Sequence, residues 1–192
     1  MKKKSLALLL AIAIVVVGVV AGTLAWLTAK SDTVTNTFTT SDINVKLEET
    51  KGELVGTDRQ FKMIPGYTID KDPKATVLSG SEKCYLFVKL EKSANFDSFL
   101  EYTIADGWTQ LDGVTDTVYY RVVDGTTNQF GTAYSVLKDD QVTVKGSVTK
   151  ETMNSLKAAD YPTLKVTAYA SQLYKNNTET FEPNVAWNNV NA

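Results

Sequence analysis

From residue 43 onward, apolar and polar positions alternate. Ile43, Val45 and Leu47 are interleaved with Asn44, Lys46 and Glu48, and Val142 and Val144 with Gln141, Thr143 and Lys145. A period of two sends successive side chains to opposite faces, so these runs predict half-buried strands. Runs rich in Val, Thr, Tyr and Phe predict further strands over about 74–79, 84–92, 100–108, 115–123, 129–137 and 161–174. Turn residues separate them: Pro65-Gly66, Ser79-Gly80-Ser81, Asp112-Gly113, Asp124-Gly125 and Asp139-Asp140. Short strands joined by turns, rather than by helical crossovers, predict an all-β fold: an antiparallel jelly-roll-like β-sandwich with short peripheral helices.

Two stretches depart from that period. Residues 149–160 carry Met153 and Leu156 among good helix formers and meet Pro162, which predicts a short helix. In the tail, Pro183 suits the first turn of a helix around Val185, Ala186 and Trp187.

The first residues follow another pattern. Lys2, Lys3 and Lys4 precede a continuous apolar run from Leu6 to Ala21, and Thr23 and Ala25 fit the small-x-small positions of a cleavage site. This predicts a signal helix within a signal peptide over 1–25, cut between Ala25 and Trp26. Extended through Leu27, the run has 22 residues, which also suits a retained anchor. Either way the three lysines keep the N-terminus cytoplasmic and the remainder is exported. The expected organisation is a leader over 1–25, an N-terminal segment over 26–37 and one β-sandwich domain over 38–192. Trp26 and Leu27 would then stand at a newly made terminus, an unusual place for two large apolar side chains.

Charge and composition narrow the chemistry. Taking the three leader lysines from 20 basic side chains leaves 17 against 22 acidic ones, a net of −5, so no nucleic-acid partner is suggested. Cys84 is the only cysteine, which excludes an internal disulfide framework. In "CYLFVKL" it shares a strand face with Leu86, Val88 and Leu90 and reads as a small core hydrophobe. Histidine is absent, which removes Ser–His and Cys–His nucleophile pairs and histidine-based zinc sites.

The acidic pairs Glu48–Glu49 and Asp139–Asp140 are adjacent in sequence. On a strand, neighbours point apart, so they read as solvated charges, with calcium at Asp139 and Asp140 as the alternative. Trp108, Tyr119, Tyr120 and Tyr134 read as packing aromatics, with a sugar-binding platform as the alternative. No catalytic, cofactor or metal residue is assigned.

Three blocks carry a family resemblance. "GTLAWLTAKSDTVTNTFTTSDINVKLEE" opens the chain after the apolar run, "IPGYTIDKDPKATVLSGSEKCYLFVKLE" spans 64–91, and "LKVTAYASQLY…AWNNV" spans 164–190. Together they resemble the TasA and camelysin family of Gram-positive exported proteins. Tyr67 stands where that family usually has an acidic residue after Pro-Gly, and its Asn-x-Gly before the aromatic strand is reduced here to Leu78-Ser79-Gly80.

The resemblance implies export through a SipW-type signal peptidase and a secreted, non-enzymatic subunit of a biofilm-matrix or surface fibre. Self-association would proceed by donor-strand complementation, with Trp26, Leu27 and Ala29 as anchors and no cofactor. Other matrix proteins or polysaccharide are the further partners it implies. Camelysin-like members are described as metalloproteases, but this chain offers no histidine to carry that activity. An extracellular endopeptidase and a carbohydrate- or host-binding surface module are the competing functional classes.

Overall fold

The computed structural model describes residues 7, 10–13 and 42–191. Two units are separable by their contacts, Met1–Thr39 and Thr40–Ala192. In the first, Ala7 and residues 10–13 are helical. Among the described residues, no helix is long and apolar enough to cross a membrane. The leader cut at Ala25 and Trp26 and the segment over 26–37 lie outside the described residues.

The second unit is mostly β, with a few short helices and four small sheets. Its longest sheet has the order β12-β6-β9-β8, formed by Leu164–Gln172, Cys84–Lys92, Thr117–Val123 and Thr109–Gln110. A second runs β1-β5-β10 (Val45–Glu48, Lys74–Val77, Tyr134–Ser135) and a third β4-β11-β7 (Thr68–Asp70, Gln141–Val144, Leu100–Glu101). The fourth is the hairpin β2-β3 (Glu53–Val55, Asp58–Gln60). All pairings among the described residues are antiparallel.

β6 is the centre of this unit. Cys84, Leu86, Val88 and Leu90 share one face, as their alternation predicts, and pack with Val77, Phe96, Val136, Leu137, Val142 and Val144 in the larger core. The opposite face is not solvated, which corrects the half-buried expectation for this strand. Tyr85 and Phe87 belong to a second core with Leu111, Val118, Leu173 and Trp187. Trp187 sits on helix α3 (Pro183–Val190), its ring centroid 5.5 Å from that of Phe87 and 5.1 Å from that of Tyr169. A strand covered on both faces reads as a continuous apolar run, as "CYLFV" does.

Several predicted elements break up. The strand expected over 100–108 is limited to β7, the single bridge Ile104–Leu137, and a turn at Asp106-Gly107. Gly107 has φ +85°, and a Cβ there would lie 3.0 Å from an Arg121 guanidinium nitrogen, so the turn needs glycine on both counts. The strand expected over 129–137 shrinks to β10, because Phe130 and Gly131 turn the chain and the Gly131 N–H bonds Val77 O at 2.7 Å.

The helix expected over 149–160 divides into α2 (Lys150–Asn154) and a 3-10 turn at Ala158–Asp160. Thr149 caps α2 by accepting from the Thr152 N–H, but the segment has no buried residue to sustain a longer helix. α1 (Phe96–Phe99) was not anticipated. It is one turn long, and its burial of Phe96 and Phe99 supplies its stability.

Candidate functional site

The expected cleavage residues Ala25 and Trp26, and the anchors Trp26, Leu27 and Ala29, fall outside the described residues. The other places singled out in sequence can be located. Glu48 and Glu49 diverge: Glu48 pairs with Lys46 at 2.7 Å and Glu49 with Lys71 at 2.8 Å.

Asp139 and Asp140 form a tight turn, both at φ 55°, and help to line a cleft of about 240 Å³ with Asp70, Asp72, Lys51 and Lys74. Lys74 lies 3.3 Å from Asp140 Oδ2, so the chain's own Lys74 and Lys51 offset part of the charge of the four carboxylates there. Among the described residues, no three Asp, Glu, Cys or His side chains converge in a way that would hold a metal ion.

Asp72 is the buried acid of this cleft. Its Oδ1 accepts from the Thr50 and Lys51 N–H groups at 2.9 and 2.8 Å, and its Oδ2 from the Thr50 hydroxyl at 2.6 Å. Desolvation is the largest single influence and pushes its pKa up. The hydrogen bonds from the Thr50 hydroxyl and the two N–H groups together outweigh it, and the carboxyl falls from 3.8 to about 2. This is a structural clamp holding the start of the β2–β3 arm.

The aromatics do not form a platform. Tyr119 packs against the larger core and Tyr120 against the second, on opposite sides of β9. Trp108 and Tyr134 instead enclose the Arg121 guanidinium, whose carbon lies 4.3 and 4.2 Å from the two ring centroids. Arg121 is buried and donates to Asp106 O at 3.1 Å, while its Nε has no partner. Trp108 Nε1 donates to Ser135 O and the Tyr134 hydroxyl to Gln129 O, both at 2.8 Å. The cage ties β9 to two irregular loops. A single arginine in "VYYRVV" was its only sequence signal.

The feature best suited to recognition is a strand edge. Leu173 N–H donates to Lys83 O, and Ser93 N–H to Thr163 O, both at 3.0 Å. With the register Val166↔Leu90, these bonds require the odd-numbered residues of β12 to bond β6. The N–H and C=O groups of Leu164, Val166, Ala168, Ala170 and Gln172 therefore point away from the sheet.

β1 has the same arrangement. Leu78 N–H donates to Asn44 O at 2.8 Å, so Ile43, Val45 and Leu47 direct their backbone groups away from β5. The two outward edges come within 8 Å of each other, with no ladder between them among the described residues. At one end of this seam lies a cleft of about 540 Å³ lined by Ile43, Glu82, Lys83, Gln172, Tyr174 and Asn177. The strand alternation implied these faces, but only the register identifies which backbone groups face away from β5 and β6.

No protein family matches this chain, and no curated protein or solved structure does so either.

Proposed function

We propose that this chain is a secreted structural subunit of an extracellular matrix or surface fibre of a Gram-positive bacterium. In this reading its domain is a jelly-roll-like β-sandwich, and assembly proceeds by donor-strand complementation through the segment over 26–37. The observation that carries the reading is the placement of Trp26 and Leu27 directly after the small-x-small motif of Thr23 and Ala25, at the head of a Thr-rich, strand-like run.

Removal of the leader frees a terminus whose two anchors, with Ala29, dock into a neighbouring copy. Burying Trp26 and Leu27 contributes roughly 3 to 6 kcal/mol before the costs of association. A donor on one face and an acceptor elsewhere make a heterologous contact, and such contacts repeat into open fibres rather than closed rings. The sandwich reading is supported by the larger core, in which residues of β5, β6 and β11 pack together.

N-terminal sequencing and negative-stain microscopy of the exported protein test this reading. A chain beginning at Trp26 and unbranched fibres are expected. An intact leader, or a dispersed monomer at high concentration, would overturn it.

A further inference from the structure

Trp108, Tyr119, Tyr120 and Tyr134 are taken up by packing and by the Arg121 cage, but another aromatic stands at a cleft. Among the described residues, Tyr67, Tyr161 and Tyr174 are exposed by 63, 54 and 41 %. Of these three, Tyr174 lines the cleft of about 540 Å³, together with Ile43, Glu82, Lys83, Gln172 and Asn177. That volume falls within the range of about 300 to 1,000 Å³ that ligand sites occupy.

The walls are fixed by the backbone, which leaves the side chains to do the recognising. Tyr174 opens a short hairpin: it bridges to Thr180, Lys175 N–H donates to Glu179 O at 2.8 Å, and Asn176 Oδ1 accepts from the Thr178 and Glu179 N–H groups, both at 3.0 Å. Asn177 is carried exposed on that loop. The opposite wall is tied in the same manner, with Glu82 N–H donating to Asp42 O at 3.2 Å and Leu173 N–H to Lys83 O at 3.0 Å. Gln172 donates one amide N–H to Tyr174 O at 3.0 Å, which sets the plane of its side chain. A site built this way needs little ordering when a ligand arrives.

We propose that this cleft binds a short segment of a neutral polysaccharide. A sugar ring presents an apolar C–H face and a rim of hydroxyls, each both donor and acceptor. Tyr174 and Ile43 supply an aromatic and an aliphatic surface for the face. The amides of Gln172 and Asn177 both donate and accept, Glu82 accepts and Lys83 donates, so every kind of partner that a hydroxyl rim needs is present. The single acidic and single basic side chain offset each other, which favours an uncharged ligand over a polyanion or polycation. With two apolar residues among six, the lining is too polar to select a purely apolar ligand. The cleft belongs to one domain, so this inference goes beyond the fibre reading and does not depend on it.

Saturation-transfer NMR of the exported protein with soluble tetramers of glucose and of N-acetylglucosamine tests the assignment, because it reads the ligand and tolerates a large assembly. Saturable binding of at least one tetramer is expected, with hydrogen-exchange protection confined to the segments around 82–83 and 172–177. Tyr174→Ala, which keeps the backbone of the hairpin, should weaken that binding about ten-fold, the equivalent of one lost aromatic contact. Leu54→Ala, on a residue outside the cleft, should leave it unchanged. Should Tyr174→Ala misfold, Asn177→Ala on the exposed loop and the protection map on the parent decide. Binding of neither tetramer overturns the proposal, as does full affinity in a folded Tyr174→Ala or protection elsewhere. Tighter binding of a galacturonate tetramer would overturn the neutral class, and protection of the same segments by an unrelated extended peptide but by neither sugar would make the cleft a peptide site. Sedimentation of the protein without sugar reports separately on the fibre reading, which survives each of these failures.

Discussion

The guanidinium carbon of Arg121 stands 4.3 Å from the ring centroid of Trp108, within a cage closed on its other side by Tyr134. Desolvation lowers the arginine pKa from its ordinary value, with the Tyr134 hydroxyl acting in the opposite sense, so a buried cation is held here by ring faces and by bonds to Asp106 O and Asn128 Oδ1 rather than by a carboxylate. A desolvated cation–π contact contributes about 2 kcal/mol or more. Arg121→Ala should therefore destabilise the domain by about 2 to 4 kcal/mol. Arg121→Lys should recover only part of it, because an ammonium neither stacks flat nor reaches Asp106 O with the same fork. Chemical denaturation of the three proteins measures this, and equal midpoints for parent and Arg121→Ala would remove the cage from the account.

Leu86 and Leu54 provide a contrast within one residue type. Leu86 is 0 % exposed on β6 and Leu54 is 60 % exposed on β2. Leu86→Ala should cost about 2 to 5 kcal/mol through lost transfer energy and the cavity left behind. Leu54→Ala should stay within about 0.5 kcal/mol. Urea titrations that rank the two variants in the reverse order would contradict the core described here.

Asp72 sets a pH dependence. Its folded pKa of about 2 lies below the ordinary 3.8, so its contribution is fully present above about pH 4 and is lost as pH falls toward 2. Allowing for screening by nearby solvent, this amounts to about 1 to 2 kcal/mol. Asp72→Asn should be less stable than the parent at pH 7, and the gap should narrow between pH 4 and pH 2. Parallel stability curves for the two proteins across that range would show that the clamp does not titrate.

Burial pushes the Cys84 thiol up to about 12. An aromatic disulfide reagent at pH 8 should label it only at the rate of unfolding, and denaturant should release one thiol per chain at once. Rapid labelling of the native protein would place Cys84 at an accessible surface.

The bounds of strand β6 were legible to the residue because the apolar run "CYLFV" continues past Lys89 to Leu90 and ends in charge at Glu91 and Lys92, whereas its coverage on both faces was not read. The helix at Pro183 was legible from a proline in its first turn and an apolar cluster behind it. Ile104 and Trp108 appeared to continue one strand because apolar alternation persists across Asp106-Gly107, where the backbone turns to clear Arg121. The hairpin of β2 and β3 went unread although Gly56, at φ +64°, opens its two-residue loop, since Leu54 and Val55 are both exposed and give no buried face to alternate. For the candidate site, the composition of the edge is visible in "LKVTAYASQ". The direction of its backbone groups is a property of register and cannot be read from residue types.

Assembly through the N-terminal segment is tested most directly by sedimentation and negative-stain imaging of exported protein lacking residues 26–32, beside the parent at equal concentration. The account predicts a folded monomer that does not elongate, and that shortens parent fibres when mixed with them because its groove still accepts a donor. Fibres of normal length from the deletion variant alone would contradict it.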